Sequence, residues 1–334
     1  MSRNSGSHLT YVERCHIWAC LRNGFSQSKI AGMIGRHRSV ISREVKRNTS
    51  QSEYNAEQAQ KNAELRRSVA SSRAKKMTPV ILERIKILLY ECDASPEQIS
   101  GRLKKTENIK ISHETIYRSI WNDKKCGGTL YEHLRHRAKK YHKRSAKNAG
   151  RGLIPNRVDI EHRPSIVELK ERLGDIEFDT VVGTAHKGSI VSMVDRASKR
   201  SWFVKTAKRT AVNVENAICS RLEPLSKLGI FHTGTSDNGK EFANHESIVR
   251  RLGGAFFFAK PYHSWERGLN EHTNGLLRQY FPKGTDFTTI SDSDLMLAEW
   301  KLNNRPRKII NYQTPIEAFD ALLQQQLLRE KLAA

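Results

Sequence analysis

The sequence has few cysteines, few acidic residues and no long apolar run, and each shortage excludes a class of protein. Its five cysteines are scattered without a Cys-x-x-Cys pair, so the sequence predicts neither a disulfide framework nor an ordinary zinc site. No run of about 18 apolar residues occurs, and the first residues contain no signal-peptide segment. We therefore expect no membrane association and a location in the prokaryotic cytoplasm, at the nucleoid.

The shortage of acidic residues leaves a large positive charge. The 334 residues contain 35 Asp and Glu against 58 Lys and Arg, a formal net charge of +23, which indicates a polyanionic partner such as nucleic acid. Residues 1–150 hold 31 Lys and Arg against 13 Asp and Glu, so they carry +18 of this charge. A chain of this length suits two or three domains. We expect the first half to bind double-stranded DNA.

Residues 1–49 are predicted to form a helix-turn-helix domain. Apolar residues recur at helical spacing, Ser26 can cap a helix that ends near Ile34, and a second helix is predicted from about Ser39 to Arg47. The side chains expected to reach the DNA major groove from this second helix are Arg36, His37, Arg38, Ser39, Ser42, Arg43, Lys46 and Arg47. The alternative is a basic helical bundle whose charges are only solvated.

Residues 78–125 are predicted to form a second helix-turn-helix domain, after a polar, Ala-rich linker helix at residues 50–77. Ser95 and Gln98 can form a capping box around Pro96, and Ser112 can cap the next helix. On that helix Ile116, Ile120 and Trp121 are expected to pack inward. Its predicted DNA-facing residues are His113, Glu114, Thr115, Tyr117 and Arg118.

A basic linker is predicted at residues 126–164. Within it, residues 133–147 hold seven Lys and Arg, and the expected DNA contacts are Arg135, Arg137, Lys139 and Lys140. Such a segment can follow phosphates and become ordered only on binding, although a solvated charge run is the plain alternative.

Residues 165–322 differ in character, because strand-like segments rich in Val, Ile and Phe alternate with helical ones. The predicted order β-β-β-α-β-α-β-α is that of a ribonuclease-H-like domain, an α/β fold with a mixed five-stranded sheet. Its last long helix is predicted to start near Ser264. A further capped helix begins at Thr314 and packs on this domain, and residues 323–334 form a tail. The expected fold is thus multidomain, with an all-α first half and an α/β catalytic domain.

Three carboxylates are expected to converge in this domain. Asp179 lies in the first strand, Asp237 directly follows the fourth, and Glu271 lies on the last helix, with 33 residues between it and Asp237. Clustered carboxylates repel one another unless cations neutralise them, and oxygen ligands suit Mg²⁺ or Mn²⁺. Two ions per active site would allow hydrolysis of a DNA strand and then attack of its 3′-hydroxyl on a second DNA.

Other residues compete for these roles. Glu177 points to the same face of the first strand as Asp179, so spacing alone leaves it open as a ligand. Glu266 lies five residues from Glu271 and faces another side of the helix. Tyr262 and His263 could contact the scissile phosphate. The remaining predicted DNA contacts form an i, i+4, i+8 stripe, which could instead be a solvated face: Asn270, Asn274 and Arg278.

The segments IEFDTVVG, TSDNGKEFANHE and AKPYHSWERGLNEHTNGLLRQYFPKGTDF resemble the catalytic signature of DDE transposases of the insertion-sequence-thirty family. SREVKRN and SPEQISGRL resemble the same family's DNA-binding units, so the resemblance covers most of the chain. One departure is Phe178, where the family pattern has Gly. The resemblance implies Asp179, rather than Glu177, as the first member of the metal-binding triad.

The resemblance also implies recognition of terminal inverted repeats, cleavage of the DNA ends and their joining to target DNA. We expect a homodimer, because a transposon has two ends. The alternatives are a DNA-binding regulator, which would not need the three carboxylates, and a nuclease that cuts without joining.

Overall fold

The computed structural model describes residues 8–50, 53–73, 77–135, 154–260 and 268–333. The chain forms two compact units, residues 1–78 and residues 79–334. No helix in the described ranges is long and apolar enough to cross a membrane.

The first unit is a helical bundle. Its elements are α1 (Tyr11–Arg22), α2 (Gln27–Met33), α3 (Arg38–Asn48), the short pair β1 (Thr49–Ser50) and β2 (Glu53–Tyr54), and α4 (Ala56–Arg73). The predicted cap is confirmed, because the Ser26 side chain accepts from the Lys29 amide at the start of α2. Helix α4 packs against α1 and buries Ala59 in the apolar core. The sequence did not indicate this packing, since the buried residue is a small alanine and not a large apolar side chain.

The second unit begins with three helices, α5 (Pro79–Cys92), α6 (Pro96–Glu107) and α7 (His113–Lys125). The capping box of Ser95 and Gln98 and the Ser112 cap are confirmed. Ile116 and Ile120 are fully buried as predicted, but Trp121 is 38% exposed. The prediction for Trp121 was wrong because this residue lies at the edge of the buried face, where Lys124 Nζ sits 5.5 Å from the ring centroid.

The rest of this unit surrounds a five-stranded sheet. The strands are β3 (Asp175–Val182), β4 (Ser189–Asp195), β5 (Ser201–Thr206), β6 (Thr233–Ser236) and β7 (Ala255–Phe258). The helices are α8 (Ile166–Leu169), α9 (Ala211–Lys227), α10 (His245–Leu252), α11 (Gly268–Tyr280), α12 (Asp292–Asn303) and α13 (Pro315–Ala333). Helix α13 begins at the predicted cap, where the Thr314 hydroxyl accepts from the Glu317 amide.

The sheet has the order β5-β4-β3-β6-β7, in which β3, β4 and β5 are antiparallel while β6 and β7 run parallel to β3. This is the mixed sheet of a ribonuclease-H-like domain, as the element order predicted. The fourth strand begins only at Thr233, because the Ile230 amide bonds to Leu225 O and closes the end of α9. The predicted start of the last long helix near Ser264 lies outside the described residues.

Phe178, the departure from the family pattern, is accommodated on the face of β3 opposite Glu177 and Asp179. It is fully buried and stacks on Phe256 with 5.6 Å between ring centroids. A Cβ atom at Gly234, on the neighbouring strand β6, would lie 2.5 Å from the Phe178 ring. Gly234 of β6 therefore leaves the space that the Phe178 ring occupies.

The corner between α5 and α6 is attached to the sheet domain by Asp93. Its carboxylate accepts from Lys301 Nζ of α12 at 2.9 Å and from the Tyr280 hydroxyl of α11 at 3.0 Å, and it lies 2.7 Å from His133 Nδ1. Burial opposes ionisation, but these partners hold the pKa of Asp93 below its usual value. Helices α5 to α7 are thus tied by polar contacts to the C-terminal end of α11, the helix that carries Glu271.

Candidate active site and DNA-binding surfaces

The parallel pairing of β3 and β6 places Asp179 and Asp237 side by side. Asp175, Ile176 and Glu177 pair with Thr233, Gly234 and Thr235 in register, and two further residues along each strand lead to Asp179 and Asp237. Side chains at equivalent positions of adjacent strands lie close together. The two carboxylates therefore occupy neighbouring positions where the strand pair ends.

Both carboxylates are half-buried and held by short hydrogen bonds. Asp179 Oδ1 accepts from the Thr180 amide at 2.9 Å, and its Oδ2 accepts from Asn274 Nδ2 at 2.8 Å. Asp237 Oδ1 accepts from the Gly239 amide at 2.9 Å. These contacts fix the carboxylate orientations, which a metal-binding or catalytic site requires.

Glu271 lies on α11, one helical turn before Asn274. Residues three apart share a helix face, so the contact of Asn274 with Asp179 puts Glu271 on the side of α11 near the carboxylate pair. The Glu271 side chain is exposed. Among the described residues, no three His, Cys, Asp or Glu side chains come close enough together to hold a metal ion. The structure therefore does not bring Asp179, Asp237 and Glu271 together as one cluster.

Glu177, the competitor of Asp179, is engaged in protein contacts. It is 2% exposed, its Oε1 accepts from Arg196 Nη1 at 2.5 Å, and its Oε2 accepts from the Asn270 amide at 3.3 Å. Both oxygens of this carboxylate thus bind protein donors. The geometry favours a structural role for Glu177 and leaves Asp179 as the β3 carboxylate at the site.

A brace between the two carboxylate-bearing segments was not predicted. Glu241 is 5% exposed, and its Oε1 accepts from the Thr180 hydroxyl at 2.8 Å and from Arg209 Nε at 2.7 Å. Thr180 follows Asp179 in β3, whereas Glu241 lies four residues after Asp237. The sequence carries no signal for this brace, because its three members are separated along the chain and meet only through the sheet.

The side chains of the stripe on α11 contact the protein. Asn270 is 1% exposed and lies against β3, while Asn274 binds Asp179. Arg278 donates to Val182 O at 2.9 Å. The expectation of a DNA contact is therefore wrong for Asn270. Helix spacing predicts which residues share a face, but it does not predict that β3 packs against that face.

Helix α3 presents most of its predicted DNA contacts to the surface. The exposed members are His37, Arg38, Ser42, Arg43, Lys46 and Arg47, and Ser39 is half-buried. His37 also caps the helix, since its Nδ1 accepts from the Ser39 amide. Arg36 does not reach outward, because its guanidinium binds Glu13 with 2.8 Å between Nε and Oε1. Arg36 instead joins α1 to the turn before α3.

The other predicted DNA contacts divide into two groups. On α7, His113 and Arg118 are exposed, and Thr115 and Tyr117 are half-buried. Arg135, which lies beyond the end of α7, is also exposed. The remaining predictions lie outside the described residues: Arg137, Lys139, Lys140, Tyr262 and His263.

Comparisons with known proteins identify a matching domain and several relatives of this chain. A family model described as a helix-turn-helix domain matches residues 5–48. The chain is 47% identical over 320 residues to a transposase for insertion sequence element IS4351 from Bacteroides fragilis, which covers 95% of this chain and 97% of that relative. It is 33% identical to the transposase InsI for insertion sequence element IS30A from Escherichia coli (strain K12), over 94% of this chain and 84% of the relative.

A solved structure, the catalytic core domain of BIV integrase, is similar to 47% of this chain and 98% of its own length. The sequence identity is 21% and the TM-score is 0.36. The fold assignment rests on the strand order and directions described above.

Proposed function

The chain belongs to the IS30 family of insertion-sequence transposases, and from this premise we propose that Asp179, Asp237 and Glu271 hold two divalent cations. It is an enzyme of DNA transposition that cuts and joins DNA. The observation that carries the proposal is the in-register pairing of β3 with β6 as far as Glu177 and Thr235, because Asp179 and Asp237 each follow two residues later.

The donor set suits Mg²⁺ or Mn²⁺. All three side chains offer carboxylate oxygens, which hard divalent cations prefer. Asn274 adds a buried Oδ1 atom that has no hydrogen-bond partner, directly beside Asp179. Bound cations would activate the attacking oxygen and stabilise the leaving oxygen of a phosphodiester displacement.

The protein's own residues prepare this chemistry. Asn274 orients Asp179, and the Gly239 amide orients Asp237. Glu241 braces β3 to the loop that carries Asp237 through Thr180 and Arg209, so the two carboxylates move little relative to each other. Glu271 reaches the pair from α11 by rotation of an exposed side chain. The Asp179 and Asp237 pair and the Glu271 carboxylate would hold the cations, and these would contact the DNA phosphate.

We assign terminal-repeat recognition to residues 1–49 and 78–125, and catalysis to residues 165–322. Residues 50–77, 126–164 and 323–334 serve as connecting and terminal segments in this assignment. Helix α3 would enter the major groove, because it carries exposed Arg and Lys side chains along one side. Two copies of the chain would act together, one for each transposon end.

Replacing both Arg43 and Lys46 by Ala should weaken binding to the terminal repeat and reduce its salt dependence. Each lost phosphate contact lowers the slope of log affinity against log salt by about 0.9, so the double variant should lose about 2. Fluorescence anisotropy of the full chain on labelled terminal-repeat DNA, at several salt concentrations, measures both quantities.

The matched control is Lys61→Ala, which removes an exposed lysine of α4 that pairs with Glu57. This variant should bind like the wild-type protein. An unchanged salt slope in the double variant would exclude α3 as the DNA-contacting helix.

A strand-joining assay separates the proposed activity from its nearest alternative. A nuclease would release cut ends, whereas a transposase would also attach those ends to target DNA. Joined product with a terminal-repeat substrate therefore supports the proposal, and cut ends without joined product would contradict it.

A further inference from the structure

The second unit contains a cavity of about 860 Å³ that the proposed chemistry does not use. Its walls come from residues 160–170, β3, the start of α6, the turn between β4 and β5, the first turns of α11 and the turn after α12. Leu269, His272 and Thr273 line it, whereas Asn270 and Asn274 turn towards β3. Glu177 of β3 also lines the cavity, which therefore lies beside the carboxylate site but includes neither Asp179 nor Asp237.

The walls of this cavity are strongly basic. Six cationic side chains line it together with three carboxylates. The carboxylates are already paired: Glu97 with Lys308, Glu177 with Arg196, and Glu168 with both Arg163 and Arg196. The other three cations, Lys170, Lys199 and Arg307, form no ion pair with any carboxylate in the described ranges. The cavity therefore has a local excess of positive charge.

Two of these three cations are buried. Lys199 and Arg307 are each 8% exposed, and Arg307 Nη1 is a buried atom with no hydrogen-bond partner. Burial, and then the charge of Lys170, lowers the pKa of Lys199 to about 8. Burial, and then the charge of Arg305, lowers the pKa of Arg307 to about 9. A bound anion would provide the ion-pair partner that these side chains lack.

The backbone around the cavity is strained at three lining residues. Lys170, Lys199 and Tyr312 have φ angles of 56°, 67° and 57°, a left-handed conformation that residues other than glycine seldom adopt. Strained backbone conformations are frequent at functional sites, because contact with a ligand can require a side chain to be held where the backbone is strained. Two of the three strained residues are unpaired cavity lysines.

The volume and the lining residues of the cavity indicate which class of ligand carries the anion. A volume of about 860 Å³ falls within the range of roughly 300–1,000 Å³ for sites that enclose small ligands, and it cannot admit a DNA duplex. Ile160, Leu269, Ile309 and Tyr312 add apolar surface next to the cations. A phosphate together with a base fits this combination, since bases pack on aromatic and apolar side chains.

We propose that this cavity binds an unpaired nucleotide at a DNA end, with Lys170, Lys199 and Arg307 contacting its phosphate. Gly268 in the cavity wall is one helical turn from Glu271, so a DNA end held at the carboxylates lies close to the cavity entrance. The proposal rests on the proposed function, because cleavage by a transposase supplies such an end.

Binding of hairpin DNA by the full-length protein tests this proposal. The hairpins carry the same duplex with either a blunt end or three unpaired nucleotides at the 3′ or the 5′ end. Fluorescence anisotropy in EDTA measures affinity without cleavage. The wild-type protein should prefer one tailed hairpin to the blunt one by about tenfold, the effect of one charge-assisted hydrogen bond.

Lys170→Gln should remove most of that preference and leave blunt-end affinity unchanged. Lys170 is exposed, so this variant keeps its fold, and Lys199→Gln repeats the test at a buried position. Lys227→Gln is the matched control, because it removes one exposed lysine of α9 that pairs with Glu223 outside the cavity. The control should retain the wild-type preference.

Competition distinguishes a DNA end from a free nucleotide. A 5′-phosphorylated thymidine dinucleotide should abolish the tail preference at a concentration that leaves blunt-end binding intact. Equal affinity of the wild-type protein for blunt and tailed hairpins would overturn the proposal. Loss of blunt and tailed binding together in Lys170→Gln would also overturn it, because the lysine would then contact the duplex.

The two proposals fail in different ways. A protein that joins DNA ends but shows no tail preference defeats the cavity proposal alone. A protein that shows a tail preference dependent on Lys170 but joins no ends defeats the proposed function, and with it the identity of the bound end.

Discussion

Replacement of Asp237 by Asn should abolish both DNA cleavage and strand joining while leaving terminal-repeat binding intact. The change removes one negative charge and one carboxylate oxygen from the end of β6, next to Asp179. Loss of a metal-binding carboxylate removes several kcal/mol of transition-state stabilisation, which corresponds to a rate loss of about a thousandfold or more. Binding should persist, because the predicted recognition helices belong to other parts of the chain.

The control for this experiment is Asp320→Asn. Asp320 is an exposed residue of α13, and its carboxylate lies 4.0 Å from Arg200. Its amide variant should cut and join at the wild-type rate. Cleavage and joining by Asp237→Asn at a comparable rate would mean that this carboxylate holds no essential cation.

Replacement of Glu177 by Gln should instead destabilise the folded protein. Both Glu177 oxygens accept hydrogen bonds, from Arg196 and from the Asn270 amide. An amide has one acceptor, so one donor would face another donor in a buried site. Breaking a buried ion pair costs about 3 kcal/mol or more, which should lower the melting temperature by roughly 10 °C.

Glu168→Gln is a control that changes the same ion-pair network. Glu168 also binds Arg196, but its side chain is 60% exposed, so the cost should stay below about 1 kcal/mol. Asp179→Asn should show the opposite pattern to Glu177→Gln, with activity lost and the melting temperature nearly unchanged. A Glu177→Gln variant that is fully stable but inactive would assign the ligand role to Glu177.

Local chemistry made several features of the fold predictable. Ser26, Ser95 and Ser112 each cap a helix as predicted, because a cap needs only a short side chain next to a free amide. The segments rich in Val, Ile and Phe predicted the strands β3, β4 and β5.

Contacts between distant residues were not predictable in this way. Glu177 and Asp179 have equivalent positions by strand alternation, and the contacts of Glu177 with Arg196 and Asn270 distinguish them. The cavity cations Lys199 and Arg307 come from separate turns that meet only in the folded domain. Asn270 likewise belongs to a polar stripe, and its burial depends on the packing of α11 against β3.

The central claim is that this chain joins DNA ends with the help of divalent cations. The most direct measurement incubates the purified protein with a labelled terminal-repeat DNA and a target DNA, with Mg²⁺ or Mn²⁺ and separately with EDTA. We expect labelled product joined to the target with either cation and none with EDTA. Joined product in EDTA would contradict the claim, as would cut ends that never join the target when the cation is present.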